Sequence, residues 1–416
     1  MKKIFFLFTL LTVALFSSSQ SNQSFDIVVK GGTLIDPKNG IHALMDIAIS
    51  QGKIAKVAAS IDPKEAKQVV DARGLMVTPG IIDLHGHVFH GTQLNHYLSD
   101  GMAALAPDGF TFRNGVTTIV DCGGAGWRNI QTFRRNVIDS AQTRVLAFLN
   151  IVGGGMQGGD VEQNLSDMDP EKAAKAAKEN SDVVIGFKLA HFLGGNWTPT
   201  EKAVEAGKMA GLPVMIDFGR QVPNLSIEEL FMKKLRPGDI YTHTYASLEG
   251  TREPIVDEKT KTLKPFVLAA QQRGIIFDVG YGGSSFNFEQ AIPALKAGLF
   301  PNTISTDLHT GSMNTSMKNM LDVMSKFLLM GMPLDKVVHA ATWAPAKVIN
   351  RTELGHLTVG APADISILRM RQGDFGFYDK TGYKLKGKER LECEVTIRDG
   401  KVVYDLNGLA NPIYVN

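Results

Sequence analysis

The chain has 416 residues, 44% of them hydrophobic and 21% charged, an ordinary globular composition with enough apolar side chain for a large core. Its formal net charge is +2 and no run of Lys or Arg marks a nucleic-acid track, so a small-molecule substrate is expected and nucleic acid is not. The two cysteines, Cys122 and Cys393, lie far apart with no Cys-x-x-Cys spacing, which argues against a cysteine metal or redox centre and for two separate buried thiols.

At the N-terminus, Lys2 and Lys3 precede an almost wholly apolar run, Ile4 to Phe16, and then Ser17-Ser18-Ser19-Gln20. That is the three-part pattern of a bacterial-type secretory signal. The run falls short of the roughly twenty residues that a membrane span needs. The expectation is a signal peptide over 1–22, a periplasmic or secreted mature chain, and no stable membrane span once the signal is removed.

Residues 24–80 carry short alternating stretches, 26–30, 46–49 and 53–57, punctuated by Gly31-Gly32, Asn39-Gly40 and Gln51-Gly52. The far end, 352–416, repeats this texture at 364–368 and 393–397, followed by the Asp399-Gly400 hairpin signal. The two ends are predicted to pair into one composite β-sandwich domain. Within it, the polar stretch 371–392 reads as a surface excursion. Between them, 81–351 alternates β and α. Eight strands are predicted: 80–85, 117–121, 145–151, 183–189, 213–218, 239–244, 275–280 and 303–307. Helical spacing marks 201–210, 227–235, 265–273, 288–297 and 317–330. The fold class is therefore α/β: a (β/α)8 TIM-type barrel beside a small β-sandwich built from both termini.

Several predicted strands end in residues suited to metal chemistry, where barrel active sites lie. The run Gly80-Ile81-Ile82-Asp83-Leu84-His85-Gly86-His87 closes an apolar strand with His-x-His. Side chains two apart on an extended backbone point the same way, so both imidazoles can meet one cation. Alone, the pair could equally be polar surface. Lys188 closes Val183-Val184-Ile185-Gly186-Phe187. A buried amine that stays uncharged can take up carbon dioxide as a carbamate, whereas a lysine at the rim would simply reach solvent. His243 and Asp307 also stand at strand ends, and an Asp there can be a ligand, a general base or both. Each has a bland reading singly, but five such residues at four strand ends point jointly to a metal site.

These residues resemble the amidohydrolase superfamily, in particular the deacetylase/dihydroorotase-like metallohydrolases related to D-aminoacylases and dihydroorotases. The resemblance spans the mature chain, from Gly31-Gly32-Thr33-Leu34-Ile35-Asp36-Pro37 through the His-x-His run and Phe187-Lys188 to Ser305-Thr306-Asp307-Leu308-His309 and Gly355-His356-Leu357-Thr358-Val359-Gly360. It implies a divalent metal, zinc as first choice, one or two per chain. His85 and His87 would hold one metal, an N6-carboxylated Lys188 would bridge, and His243 would hold the second. A metal-bound hydroxide would attack an amide, with Asp307 as metal ligand and proton shuttle.

Two departures qualify that pattern. The family's fifth-strand His is replaced by Asp217 in Pro213-Val214-Met215-Ile216-Asp217. Three outcomes stay open: Asp217 ligates, a nearby His such as His191 substitutes, or the second metal is weak. His191 also reads as a rim residue contacting substrate. Second, Tyr281 stands where relatives carry a His. Arg220, Tyr281 and His309 join His191 as candidate substrate contacts, and Arg220 suits a substrate carboxylate.

The expected activity is hydrolysis of a C–N amide in a small N-acyl amino acid or related N-acyl acid. A cyclic amidohydrolase of the dihydroorotase/hydantoinase kind is the alternative, and a catalytically silent binding protein on the same fold is third. Family precedent allows a homo-oligomer without naming an interface.

Overall fold

The computed structural model describes residues 23–94, 96–217, 225–248 and 252–415. Its first strands are β1 (Phe25–Asp36), β2 (Ile41–Ser50), β3 (Lys53–Ala58), β4 (Ala66–Asp71) and β5 (Met76–Pro79). Alternation of side chains across the sheet sends Ile27, Val29, Ile47 and Ile49 into one apolar cluster, and Val28 and Ala48 into another with Ile61 and Ala66. Both faces of this sheet are therefore covered.

The chain then enters the barrel through β6 (Ile81–Gly86). A short β7 (His90–Gln93) follows, then β8 (Val116–Gly126), β9 (Arg144–Asn150), β10 (Val184–Leu189), β11 (Val214–Ile216), β12 (Ile240–Tyr241) and β13 (Ile276–Phe277). All but β7 form one parallel sheet in the order β13-β12-β11-β10-β9-β8-β6. The predicted eighth strand is not a continuous ladder. It is nonetheless held on both sides, by parallel bridges from Thr303 to Asp278 and from Leu308 to Gly86. Val279 N–H donates to the Thr303 carbonyl at 3.1 Å, and Asp307 N–H to that of His85 at 2.6 Å. These contacts close the sheet. Leu84, Val120, Leu146, Phe148, Ile185, Met215 and Ile240, from neighbouring strands, gather into a cluster of their own, as expected for the fill of a closed barrel.

The helices follow the predicted pattern with shifted ends. Pro265–Arg273 is as expected, the helix predicted over 201–210 begins earlier at Thr198, and 227–235 becomes one α turn followed by a π turn, Leu230–Lys234. Helix Pro170–Glu179 has no counterpart in the prediction. Its buried face is Ala173, Ala174, Ala176 and Ala177, too weakly apolar to show as a periodic stripe.

After the barrel come β14 (Ile365–Tyr378), β15 (Lys384–Arg398) and β16 (Lys401–Asp405). β14 pairs antiparallel with β5, so strands from both ends of the chain share one sheet, β16-β15-β14-β5-β1-β2-β3, with β4 on β1. The stretch 371–392 is more than a surface excursion: it is the far half of the β14–β15 hairpin, and the hairpin tip grips the barrel. Asp379, buried at the tip, accepts the Phe288 N–H at 2.8 Å, at the start of helix Phe288–Lys296, while Lys380 Nζ donates to the Ser247 carbonyl. A carboxylate satisfying a first-turn N–H is stabilising. Asp379→Ala is expected to lower the unfolding free energy by about 1–2 kcal/mol. Urea denaturation reads this, and an unchanged midpoint would remove the capping role. Cys122 and Cys393 are both free and buried.

Candidate metal centre

His85 is the penultimate residue of β6 and His87 follows that strand. Both are buried, and Asp307 approaches from the closing segment. His87 Nε2 lies 2.9 Å and His85 Nε2 3.6 Å from Asp307 Oδ1. One potential ligand atom from each of these three residues falls within 4.8 Å of the other two. His85 Nδ1 is 2.8 Å from Thr242 Oγ1, whose own proton goes to Asp278 Oδ2 at 2.7 Å. The hydroxyl therefore accepts from Nδ1–H, which leaves the lone pair of His85 on Nε2, facing Asp307. Burial and the nearby Lys188 charge push His85 down to about 3, so its imidazole is neutral. His87 Nδ1 is buried without a hydrogen-bond partner among the described residues. Two imidazoles and a carboxylate oxygen, not fully satisfied by protein, form a donor set that suits zinc or a similar divalent cation.

Burial by itself would raise the Asp307 carboxyl, but His309, His87 and His85 outweigh it and hold it below the usual carboxylate range. Asp307, His191 and His243 all have left-handed backbones, with φ of 55°, 57° and 54°. That conformation is uncommon outside glycine and concentrates at functional sites, where the surrounding fold must enforce it. Asp307 also needs Gly282 beside it. At φ +62°, a Cβ on Gly282 would sit 2.6 Å from Asp307 Oδ2.

Lys188, near the end of β10, is fully buried. Its Nζ is 3.3 Å from His85 Nε2 and 3.7 Å from Met215 Sδ, and no carboxylate among the described residues lies within 4.0 Å. A buried ammonium without a counter-ion is costly.

Asp217 directly follows β11. Its Oδ2 is 3.2 Å from His243 Nε2 and 3.7 Å from His191 Nε2, and its Oδ1 is 3.2 Å from Arg252 Nη1. Burial opposes ionisation of Asp217, but His243, Lys188 and His191 together hold its carboxyl well below the ordinary range. Burial likewise lowers His191, yet the Glu162 hydrogen bond and the Asp217 charge overcome this and raise it.

Of the candidate substrate contacts, His309 reaches the site, with Nε2 3.8 Å from Asp307 Oδ2. Tyr281 does not. Its ring stacks on Phe286 at 4.3 Å beneath the Lys326 ammonium, and its hydroxyl donates to the Tyr378 carbonyl at 3.1 Å. The substrate contact expected of Tyr281 is thus corrected to packing between barrel and hairpin. Arg220 and the signal pattern at 1–22 lie outside the described residues.

Sequence reasoning passed over the carboxylates that hold the site in place. Asp278 accepts from Thr242, Thr303 and Ser305 hydroxyls and orients His85 through Thr242. Asp121 accepts the N–H groups of Val88, Phe89 and Gly124 and fixes the turn after His87. Asp83, pushed up to about 7 by burial, ties β6 to Thr306 beside Asp307. Arg252 and Glu162 were passed over as well. The placement of Asp83 inside an apolar barrel strand, and of Asp121 and Asp278 within the predicted strands 117–121 and 275–280, was a usable signal, whereas Arg252 and Glu162 had none.

The sequence profile of the amidohydrolase family matches residues 257–403. A deacetylase of Agrobacterium fabrum is 33% identical over 356 residues, 83% of each chain. A deacetylase of Enterococcus faecalis is 30% identical over 387 residues, 92% of this chain and 99% of its own. Among solved structures, an adenine deaminase superposes with a TM-score of 0.81 at 29% identity, covering 92% of this chain and all of that one. A dihydroorotase does so with a TM-score of 0.78 at 30% identity, covering 91% and 99%. The chain belongs to the amidohydrolase family and is a hydrolase acting on C–N bonds.

Proposed function

We propose that this protein is an exported, divalent-metal-dependent hydrolase of the C–N amide bond in a small N-acyl amino acid or related N-acyl acid. The observation that carries the reading is the convergence of His85, His87 and Asp307 within 4.8 Å, in a chain that aligns with deacetylases over most of its length. When bound, a divalent cation, zinc by the donor chemistry, activates water and polarises the amide carbonyl. His85 and His87 hold it, His85 with its tautomer set by Thr242 and Asp278. Asp307, kept ionised, accepts the proton of the attacking water and passes it to the departing nitrogen, which leaves poorly unprotonated. His309 beside Asp307 offers a hydrogen bond to the acid group of the substrate, and Arg220 is the candidate for its charged partner by residue chemistry alone. Export rests on the N-terminal pattern at 1–22.

Opening of a cyclic amide is the second reading, favoured by the dihydroorotase superposition. It ranks behind because the curated dihydroorotases align with only about a fifth of the chain, 20–21%. A panel of N-acetyl and N-formyl D- and L-amino acids, set against cyclic ureides and imides with adenine as a third arm, separates the readings. Free amino acid released from the first group is the expected result. Turnover confined to the rings or to adenine would sink the deacylase reading. The N-terminal peptide of the secreted product, read by mass spectrometry, tests export, which an intact 1–22 would overturn.

A further inference from the structure

The left-handed backbone of Asp307, at φ 55°, is a conformation that its surroundings must enforce. Two segments do so. Residues 280–282 lie against 305–306, just before Asp307. Gly280 N–H donates to Ser305 Oγ at 2.9 Å, Tyr281 N–H to the Ser305 carbonyl at 3.2 Å, and Gly282 N–H to the Thr306 carbonyl at 2.9 Å. Gly282 also closes on the carboxylate itself, since a Cβ there would meet Asp307 Oδ2 at 2.6 Å. Beyond Asp307, Ser312 Oγ donates to the Asp307 carbonyl at 2.7 Å, and Thr315 Oγ1 donates to the Ser312 carbonyl at 2.8 Å.

Both segments meet the same residue of the β14–β15 hairpin. Tyr281 Oη donates to the Tyr378 carbonyl at 3.1 Å, and Tyr378 Oη donates to the Thr315 carbonyl at 3.2 Å. Tyr378 thus holds the segment packed behind Asp307 by its backbone and the chain after Asp307 by its side chain. A third contact seats the Tyr281 ring. Arg390 of β15 lies 3.2 Å from Asp322 Oδ1, and Asp322 Oδ2 is paired with Lys326 Nζ at 2.8 Å. That fully buried ammonium stands 4.3 Å from the centroid of the Tyr281 ring. Asp322 and Lys326 share the helix Met320–Leu329. A buried ion pair seldom stabilises more than apolar packing would. What this pair supplies is a fixed seat for the ring whose hydroxyl meets the hairpin.

We propose that the β14–β15 hairpin completes the active geometry of the barrel, with Tyr281 and Tyr378 as positioning residues that hold Asp307 in its proton-transfer pose. The proposal rests on Asp307 as the proton carrier of the hydrolase reading above, and it gives the composite β domain a part in turnover.

The test is a double-mutant cycle in the full zinc-loaded chain, read by kcat and KM on the fastest N-acetyl amino acid of the panel above. Amide hydrogen exchange followed by mass spectrometry is the second readout. Tyr281→Phe removes one hydroxyl and keeps the stacked ring. It is expected to lower kcat about 10-fold, with KM within about twofold and zinc content unchanged. Tyr378→Phe is expected to lower kcat about threefold, because the hydrogen bond it removes is solvent-exposed. In the Asp307→Asn chain, both substitutions are expected to cost nothing further, since no proton transfer is left to misplace. Exchange should quicken over 305–315 in both variants and stay unchanged over 81–87. An equal loss in the wild-type and Asp307→Asn backgrounds would overturn the proposal, as would unchanged kcat in both variants. A wild-type chain that turns over no N-acetyl amino acid would overturn the hydrolase reading instead. Exchange alone would then decide the hold on Asp307, which quickening over 305–315 supports and unchanged exchange overturns.

Discussion

Asn in place of Asp307 is expected to lower kcat for the N-acyl substrate by about 10²–10⁴-fold, the range over which a positioned acid or base acts. The amide keeps an oxygen near His87, where the carboxylate oxygen now lies at 2.9 Å, so zinc content should change little. It cannot take a proton from water and return it to nitrogen. Because that transfer occurs only in the transition state, the loss should fall on kcat with KM nearly unmoved. The sign of the pH dependence follows from the charge around Asp307. Its carboxyl is depressed by His309, His87 and His85, so the active, ionised form persists as pH falls through the ordinary carboxylate range and is lost only below it. Asp307→Asn should therefore be slow at every pH rather than shifted in optimum. Steady-state kinetics with metal analysis check this, and retention of more than about a tenth of kcat would remove the shuttle role.

The parts of this molecule legible in the sequence were those with a local period or a local motif. His85, Lys188, His243 and Asp307 each terminate a recognisable apolar stretch, so their meeting at one end of a barrel follows from strand alternation and chain order. Asp217 was conspicuous for the same reason, as an acid where the pattern asks for an imidazole. Arg252 and Glu162 come from connecting segments, where no periodicity says which way a side chain points; only the closed barrel brings Arg252 to Asp217 and Glu162 to His191. Tyr281 was expected at the pocket because relatives carry a His in its place, but it lies between two glycines with left-handed backbones, Gly280 at φ +45° and Gly282 at φ +62°. At this position the ring stacks on Phe286 instead. The hairpin tip shows the same limit from another direction. Its polar composition resembles solvent-facing loop, yet Asp379 is polar because it satisfies a helix N–H on the barrel.

Lys188 gives the second large expected effect, and it separates a structural lysine from a chemically altered one. Its stem runs against Gly123, where a Cβ would come within 2.7 Å of Lys188 Cγ, so the fold leaves a groove for this side chain and delivers its amine beside His85. Among the described residues no carboxylate lies within 4.0 Å to pair with an ammonium. A carbamate at Lys188, the N6-carboxylated form that the family resemblance implies, would resolve the mismatch. The uncharged amine nitrogen would bond to the carbon of carbon dioxide and lose one N–H proton to solvent, giving an anion with two oxygens in place of a buried cation. Such an anion would place two oxygens beside His85, as added donors for a cation held there. Lys188→Ala is expected to cost about 10²–10³-fold in activity or more, with reduced zinc retention. Formate, acetate or propionate should restore part of both, because a small carboxylate fits the space the side chain vacates and supplies the same two oxygens. Lys188→Met fills that space and should gain nothing from the added acids. Labelled bicarbonate should give a carbamate carbon signal in the wild-type holoenzyme and none in Lys188→Ala. A Lys188→Ala protein with wild-type zinc content and turnover would show that the buried amine is structural and that the cation site is complete without it.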